Sequence, residues 1–230
     1  MPADQEVRVS RRHVLAGSAV AAGTWAAPSV LTLDRVAAAT GSCGAAPLRF
    51  DWSTIAPTST MPASITANDG TVVSFALSGS TGLLAGGYAG NIRTGTRGAR
   101  SDYMALGMRG ARNGEGVTLT MSFSQPVQAC FEVTDVDRAA NSWEDSINFT
   151  ASVGGVNVPV TAADLVPQGS SVVNVGANGV RGVASEPNSS PNANVLFSAP
   201  AEVDQISLAY FDVSRWRATQ VIGIHDLRWC

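Results

Sequence analysis

The apolar positions of this chain recur in short runs, with no long stripe at helical spacing. Within the runs, apolar residues alternate with polar ones or β-branched residues cluster, and Gly, Pro, Asn and Ser separate one run from the next. A period of two with turn residues between is the strand signature. It predicts strands at 48–52, 71–77, 102–108, 117–123, 127–136, 146–153, 156–160, 171–175, 194–197, 205–211 and 220–229. About ten strands at this spacing predict an all-β fold: a single Greek-key β-sandwich, jelly-roll-like, over residues 40–230. Gly154-Gly155 between two runs reads as a hairpin turn. Residues 162–165 are too short for more than a helical turn.

The pattern repeats weakly. Phe123-Ser124-Gln125-Pro126-Val127 leads into 131–137, and Phe197-Ser198-Ala199-Pro200-Ala201 leads into 206–212. In each, a strand closes at Phe-Ser, a proline turns the chain and the next strand ends near an aspartate. Two equivalent hairpins are expected, one in each half of the sandwich, against the plain alternative of two similar turns.

Composition narrows the function. Of the 230 residues, 45% are hydrophobic, 14% are charged and 23 are glycine, which suits a packed core and not a disordered chain. A formal charge of −3 leaves no nucleic-acid footprint. All 15 basic residues are arginine, so Schiff-base chemistry and lysine-dependent phosphate loops are excluded.

At the N-terminus, Ser10, Arg11, Arg12, His13, Val14 and Leu15 resemble the twin-arginine export motif of bacteria. An uncharged stretch over 14–33 follows, and Ala37-Ala38-Ala39 offers the small residues of a cleavage site. The resemblance implies a signal peptide at 1–39 and a mature chain from Thr40, handled by the twin-arginine (Tat) translocase and signal peptidase. The expected location is extracellular or at the cell surface, with no transmembrane segment in the mature chain. The alternative is retention of 14–33 as an anchor, which Gly17, Gly23 and Pro28 weaken. The run 123–137, followed by Trp143, Asp145 and the strand from Ser146, is similar to β-sandwich domains of secreted and surface bacterial proteins, as is 220–227 as a closing strand. That resemblance implies an adhesive or carbohydrate-binding role, with an extracellular polysaccharide or surface protein as partner.

Four acids, Asp135, Asp137, Glu144 and Asp145, lie within eleven residues. Strand alternation puts Asp135 and Asp137 on the face of Phe131 and Val133, at the rim of the core. Carboxylates there need cations or donors. A structural calcium on Asp135, Asp137 and Asp145, with Asn141 and backbone carbonyls, is one expectation. Pairing with Arg138 or an arginine from elsewhere is a second, and an ordinary solvated loop is a third. The spacing lacks the glycine and terminal glutamate of an EF-hand. As a glycosidase pair the acids are poorly disposed, because Glu132 and Asp135 face opposite sides and Ala139 stands where a further acid would follow Asp137.

His225 is the single histidine after residue 39, which excludes a histidine-rich metal site, and its neighbour Asp226 points to the other face of the strand. Three cysteines suggest one disulfide, Cys43–Cys230 near the domain ends, with Cys130 as the spare or as an alternative partner. Arg93, Arg97, Arg100, Arg109 and Arg112 sit among nine glycines between 86 and 116, which reads as an anion-binding surface or as a solvated loop paired locally with Asp102 and Glu115. Trp143 and Trp216 follow equivalent aspartates, and with Tyr210 they are candidates to stack on sugar rings or to pack at the rim. The expected function is a secreted, non-catalytic surface or adhesion domain. The alternatives are a carbohydrate-binding module on Trp143 and Trp216 with structural calcium and, last, a glycoside hydrolase.

Overall fold

The computed structural model describes residues 48–229, apart from Thr58 and Arg217. The export motif (Ser10, Arg11, Arg12, Leu15), the cleavage residues (Ala37, Ala39, Thr40) and Cys43 and Cys230 lie outside the described residues. Sixteen strands run through the described chain: β1 (Leu48–Phe50), β2 (Ser64–Thr66), β3 (Val72–Gly79), β4 (Leu84–Arg93), β5 (Tyr103–Arg109), β6 (Gly116–Val127), β7 (Ala129–Thr134), β8 (Arg138–Ala139), β9 (Trp143–Val153), β10 (Val156–Val158), β11 (Leu165–Pro167), β12 (Val172–Val175), β13 (Gly179–Gly182), β14 (Val195–Ser198), β15 (Val203–Asp212) and β16 (Thr219–Trp229). The only helical pieces among the described residues are three single turns of 3-10 helix.

The strands form two antiparallel sheets packed as a β-sandwich. One sheet has the order β11-β14-β7-β16-β5-β4, with β1 also on β16. The other has the order β12-β13-β9-β15-β6-β3-β2, with β8 and β10 on β9. Alternation places the core. On β6, Val117, Leu119, Met121 and Phe123 are buried while Thr118, Thr120 and Ser122 stand on the other face. β5 and β7 are buried at nearly every position, as expected of central strands covered on both sides. Three phenylalanines join the sheets. Phe131 on β7 and Phe197 on β14 have ring centroids 5.0 Å apart, and Phe149 on β9 of the facing sheet stacks on Phe197, also at 5.0 Å.

The pattern underestimated the strand count because short or irregular strands carry little period. β4 is the clearest case. Its glycines read as a loop, yet it pairs with β5 through register shifts at Ala89, with Gly87 and Gly90 at φ +83° and +78°. Bulges of this kind interrupt the alternation by which a strand is read. Gly154-Gly155 forms the expected two-residue turn, both glycines at positive φ, between Val153 and its partner Val156. Residues Ala162–Asp164 form the expected single helical turn.

The repeated segments are not hairpins. After Pro126 the chain leaves β6 in one sheet and enters β7 in the other, and after Pro200 it leaves β14 and enters β15, crossing in the opposite sense. The two crossings lie together. Val203 faces Val127 between β15 and β6, Ser198 faces Cys130 between β14 and β7, and the Ala199 N–H donates to the Ala129 carbonyl at 2.8 Å. The prolines therefore mark corners between layers, where a chain without a free N–H loses no ladder bond.

Because Phe149 fills the space between the sheets, Phe149→Ala is expected to cost about 3–5 kcal/mol. Urea unfolding monitored by tryptophan fluorescence checks it, and a loss below about 1 kcal/mol would remove this cluster from the core's account.

Candidate functional site

β7 stops at Thr134, and Asp135 takes a left-handed backbone conformation at φ +65°. Aspartate tolerates that region better than most residues. The turn breaks the strict alternation expected through Asp137, yet all three acids are buried: Asp135 is 5%, Asp137 4% and Asp145 1% exposed. They are not a solvated loop, and each has its own donors. Asp137 Oδ1 accepts from Trp143 Nε1 at 2.8 Å, and Oδ2 accepts from the Glu186 backbone N–H at 3.1 Å. Asp145 Oδ1 accepts from the Tyr210 hydroxyl at 2.7 Å, and Oδ2 accepts from the Asp137 N–H at 3.2 Å. Asp135 Oδ2 is paired with Arg97. Asp212, the aspartate of the second repeat, ends β15 in register with Asp145 and is fully buried.

Arg97 was hidden in the glycine-rich segment. Arg97 and Arg100 close a tight turn through mutual backbone bonds of 2.8 and 3.0 Å, with Gly98 and Ala99 both at positive φ. A Cβ on Gly98 would lie 2.0 Å from Asn194 Oδ1, so the close approach requires glycine. Asn194 anchors the turn: its Nδ2 donates to the Gly98 carbonyl at 2.7 Å and to Glu132 Oε1 at 2.8 Å, and its Oδ1 accepts from the Asp135 N–H at 3.3 Å. Both arginines thereby reach buried acids, the largely covered Arg97 to Asp135 and the 43% exposed Arg100 to Glu132 at 2.6 Å. Neither pairs locally with Asp102 or Glu115 as a solvated loop would have it. The tight turn between two arginines, set beside unexplained inward acids, was the available signal.

Burial governs the electrostatics. It lifts the Asp135 carboxyl to about 6, against the opposing pull of the Arg97 guanidinium, with the Asp137 charge adding to the rise. Burial likewise pushes Asp145 well above the usual carboxylate range, although the Tyr210 hydroxyl stabilises its charge. Burial and the Asp145 charge together raise the Tyr210 phenol. Asp212 is raised by burial, and the Ser214 and Glu144 backbone N–H groups oppose the shift.

Two clefts open at this end of the sandwich. Trp143 and Trp216 line one of about 390 Å³, with Asn113, Arg138, Asn141 and Arg215 among its other walls. The sequence-predicted tryptophans are therefore brought together. Trp216 is 42% exposed, and the Arg215 guanidinium lies over its ring at 5.0 Å from the centroid. The two loops are tied by the Val213 N–H, which donates to the Glu144 carbonyl at 3.1 Å. Tyr210 does not join them and is corrected as a ligand-stacking residue: it is fully buried, with its hydroxyl committed to Asp145. The second cleft, of about 290 Å³, is lined by Arg97, Asp135, Asp137, Trp143, Glu186 and Gln220.

The donor set suits internal pairing better than calcium. Both oxygens of Asp137 and of Asp145 already accept from N–H or O–H groups, and Asp135 meets an arginine. Among the described residues no group of three His, Cys, Asp or Glu is disposed to hold a metal ion. His225 stands on β16 in register with Glu132. Cys130, expected as the spare cysteine or as an alternative partner, is disulfide-bonded. No family model, curated protein or solved structure matches the chain.

Two outcomes follow from the buried acids. A carboxyl whose folded pKa is raised contributes stability that is present at low pH and lost as pH rises, here between about 4 and about 6 for Asp135, by up to about 3 kcal/mol. The melting temperature is thus expected to be higher at pH 5 than at pH 7.5 in a calorimetric pH series, and a flat or reversed profile would contradict the assignment. Tyr210→Phe leaves Asp145 Oδ1 buried without its donor and is expected to cost about 1–3 kcal/mol in urea unfolding at neutral pH.

Proposed function

We propose that this chain is a non-catalytic binding domain of an exported protein, and that its ligand is a glycan held between Trp143 and Trp216. The observation that carries the reading is the meeting of these two tryptophans in one cleft whose other walls are mostly polar. Sugar rings have apolar C–H faces that stack on aromatic planes, and hydroxyl edges that need donors and acceptors. Trp216 is 42% exposed with the Arg215 guanidinium over one face, and Trp143 has its plane fixed by the bond from Nε1 to Asp137. Asn113, Asn141 and Ser214 supply neutral polar groups beside them. The arginine-arginine pair Arg11-Arg12 supports export through the twin-arginine route. A non-catalytic role is supported by Asp137 and Asp145, whose oxygens are all engaged by protein donors. Adhesion to an extracellular polysaccharide is the biological setting most consistent with such a cleft.

A glycan array probed with the purified chain is expected to show binding that Trp143→Ala and Trp216→Ala each weaken by about tenfold or more. Trp216→Ala should shift the melting temperature little, since its side chain is 42% exposed and lies outside the core cluster. An array without signal, or one indifferent to both substitutions, would overturn the reading.

A further inference from the structure

The cleft of about 290 Å³ shares Trp143 with the cleft between the tryptophans. Most polar groups in its wall are already engaged. Arg97 donates to Asp135 and, at 2.9 Å, to the Val221 carbonyl, both Asp137 oxygens have donors, and the Glu186 carboxylate accepts from the Ser171 hydroxyl. Two side chains differ. Asp135 Oδ1 and both polar atoms of the Gln220 amide have no hydrogen-bond partner among the described residues, although the residues are only 5% and 2% exposed. Gln220 lies near the start of β16, across from Met108 on β5, where an apolar residue would fit the strand. Buried polar groups are nearly always paired, and an amide left without protein partners calls for a bound water or a ligand group.

The unmet capacity has a definite chemistry. It comprises an acceptor on Asp135 and a donor and an acceptor on Gln220. A hydroxyl both donates and accepts, and two adjacent hydroxyls on one ring satisfy all three functions. An anionic ligand would meet the carboxylates of Asp135, Asp137 and Glu186, and a cationic one would meet Arg97. A neutral hydroxylated ring meets neither penalty, and Trp143 gives it an apolar wall. The volume, at the lower end for a ligand site, suits a single ring.

We infer that this cleft is a subsite for one sugar unit of a longer neutral glycan, with Asp135 and Gln220 as its hydrogen-bonding pair and Trp143 shared with the next unit. The inference rests on the glycan-binding reading above, and it assigns that ligand a neutral character and a length of at least two units. Titration calorimetry tests it with methyl glycosides of glucose, mannose and N-acetylglucosamine, the matching linear tetrasaccharides, and acetate and tetramethylammonium as charged controls. One neutral series is expected to bind, and its tetrasaccharide more tightly than its methyl glycoside. Gln220→Met and Asp135→Asn should each weaken the methyl glycoside by about tenfold or more, and Gln220→Met should do so with an undiminished melting temperature. Trp216→Ala should weaken the tetrasaccharide and spare the methyl glycoside. If Trp216→Ala abolishes tetrasaccharide binding while Gln220→Met changes nothing, the subsite is overturned and the glycan reading stands. If only a charged control binds, or no sugar does, both are overturned.

Discussion

Taking carboxylates out of water without leaving them unanswered is the constraint on which this end of the molecule depends. An isolated buried carboxylate is too costly to keep, so each one dictates a neighbour. Asp145 recruits the tyrosine of β15, Asp137 recruits the indole of Trp143 and the backbone at Glu186, and Asp135 recruits an arginine from a turn far away in sequence. The loops at this end are thus ordered by polar demand, while the sheets beneath them are ordered by apolar contact. Such pairings give little net stability compared with an apolar core, but removing one partner is expensive. Conformation is what they secure: the plane of Trp143, the entry of β9 and the inward course of the arginine turn all follow from which acid is answered by which donor.

The same constraint separates what could be read in the sequence from what could not. The sandwich was legible because β6 and β15 are long and alternate for most of their length, and the Gly154-Gly155 turn was legible from its two glycines. The burial of Asp135 and Asp137 was foreseeable from Phe131 and Val133, even though the strand gives way at Asp135 and the alternation argument fails in detail. The pairing of Trp143 with Trp216 was suggested by their matching positions after repeated aspartates. The partner of Asp135 was legible only as an arginine from elsewhere, and Asn194 and Gln220 were not legible at all. The contact of Arg97 with Asp135 spans 38 residues of sequence and that of Asn194 with Gly98 spans 96, and no local pattern carries such information. Tyr210 misled for a related reason: its residue type suits stacking, but the period of β15 turns it inward.

The exposed surface near the clefts has a mixed character that fits a binding face. Glu144 is shared between Arg138 at 3.4 Å and Arg181 at 3.3 Å, and Arg215 covers Trp216. These arginines are about half exposed, so their pairs are weak and open to exchange. The buried acids behind them are held much more firmly. A rigid inner layer carrying an adaptable outer one is a common arrangement where a ligand has to be oriented without repacking the fold.

Because the chain crosses between the sheets repeatedly, after Pro126 and after Pro200 among other places, neither sheet can be completed by one contiguous half of the sequence. The pairs β6–β15 and β7–β14 join residues far apart in sequence, 76 positions at Val127–Val203 and 66 at Phe131–Phe197. Loop closure on that scale has to be met before the contacts that reward it exist, which makes folding slow and strongly all-or-none. A nascent chain released up to β13 would hold β6, β7 and β9 with their main partners missing and their edges open. Such a protein tolerates delay poorly on the way to its native state and favours a setting in which the entire domain is available before any part of it must function.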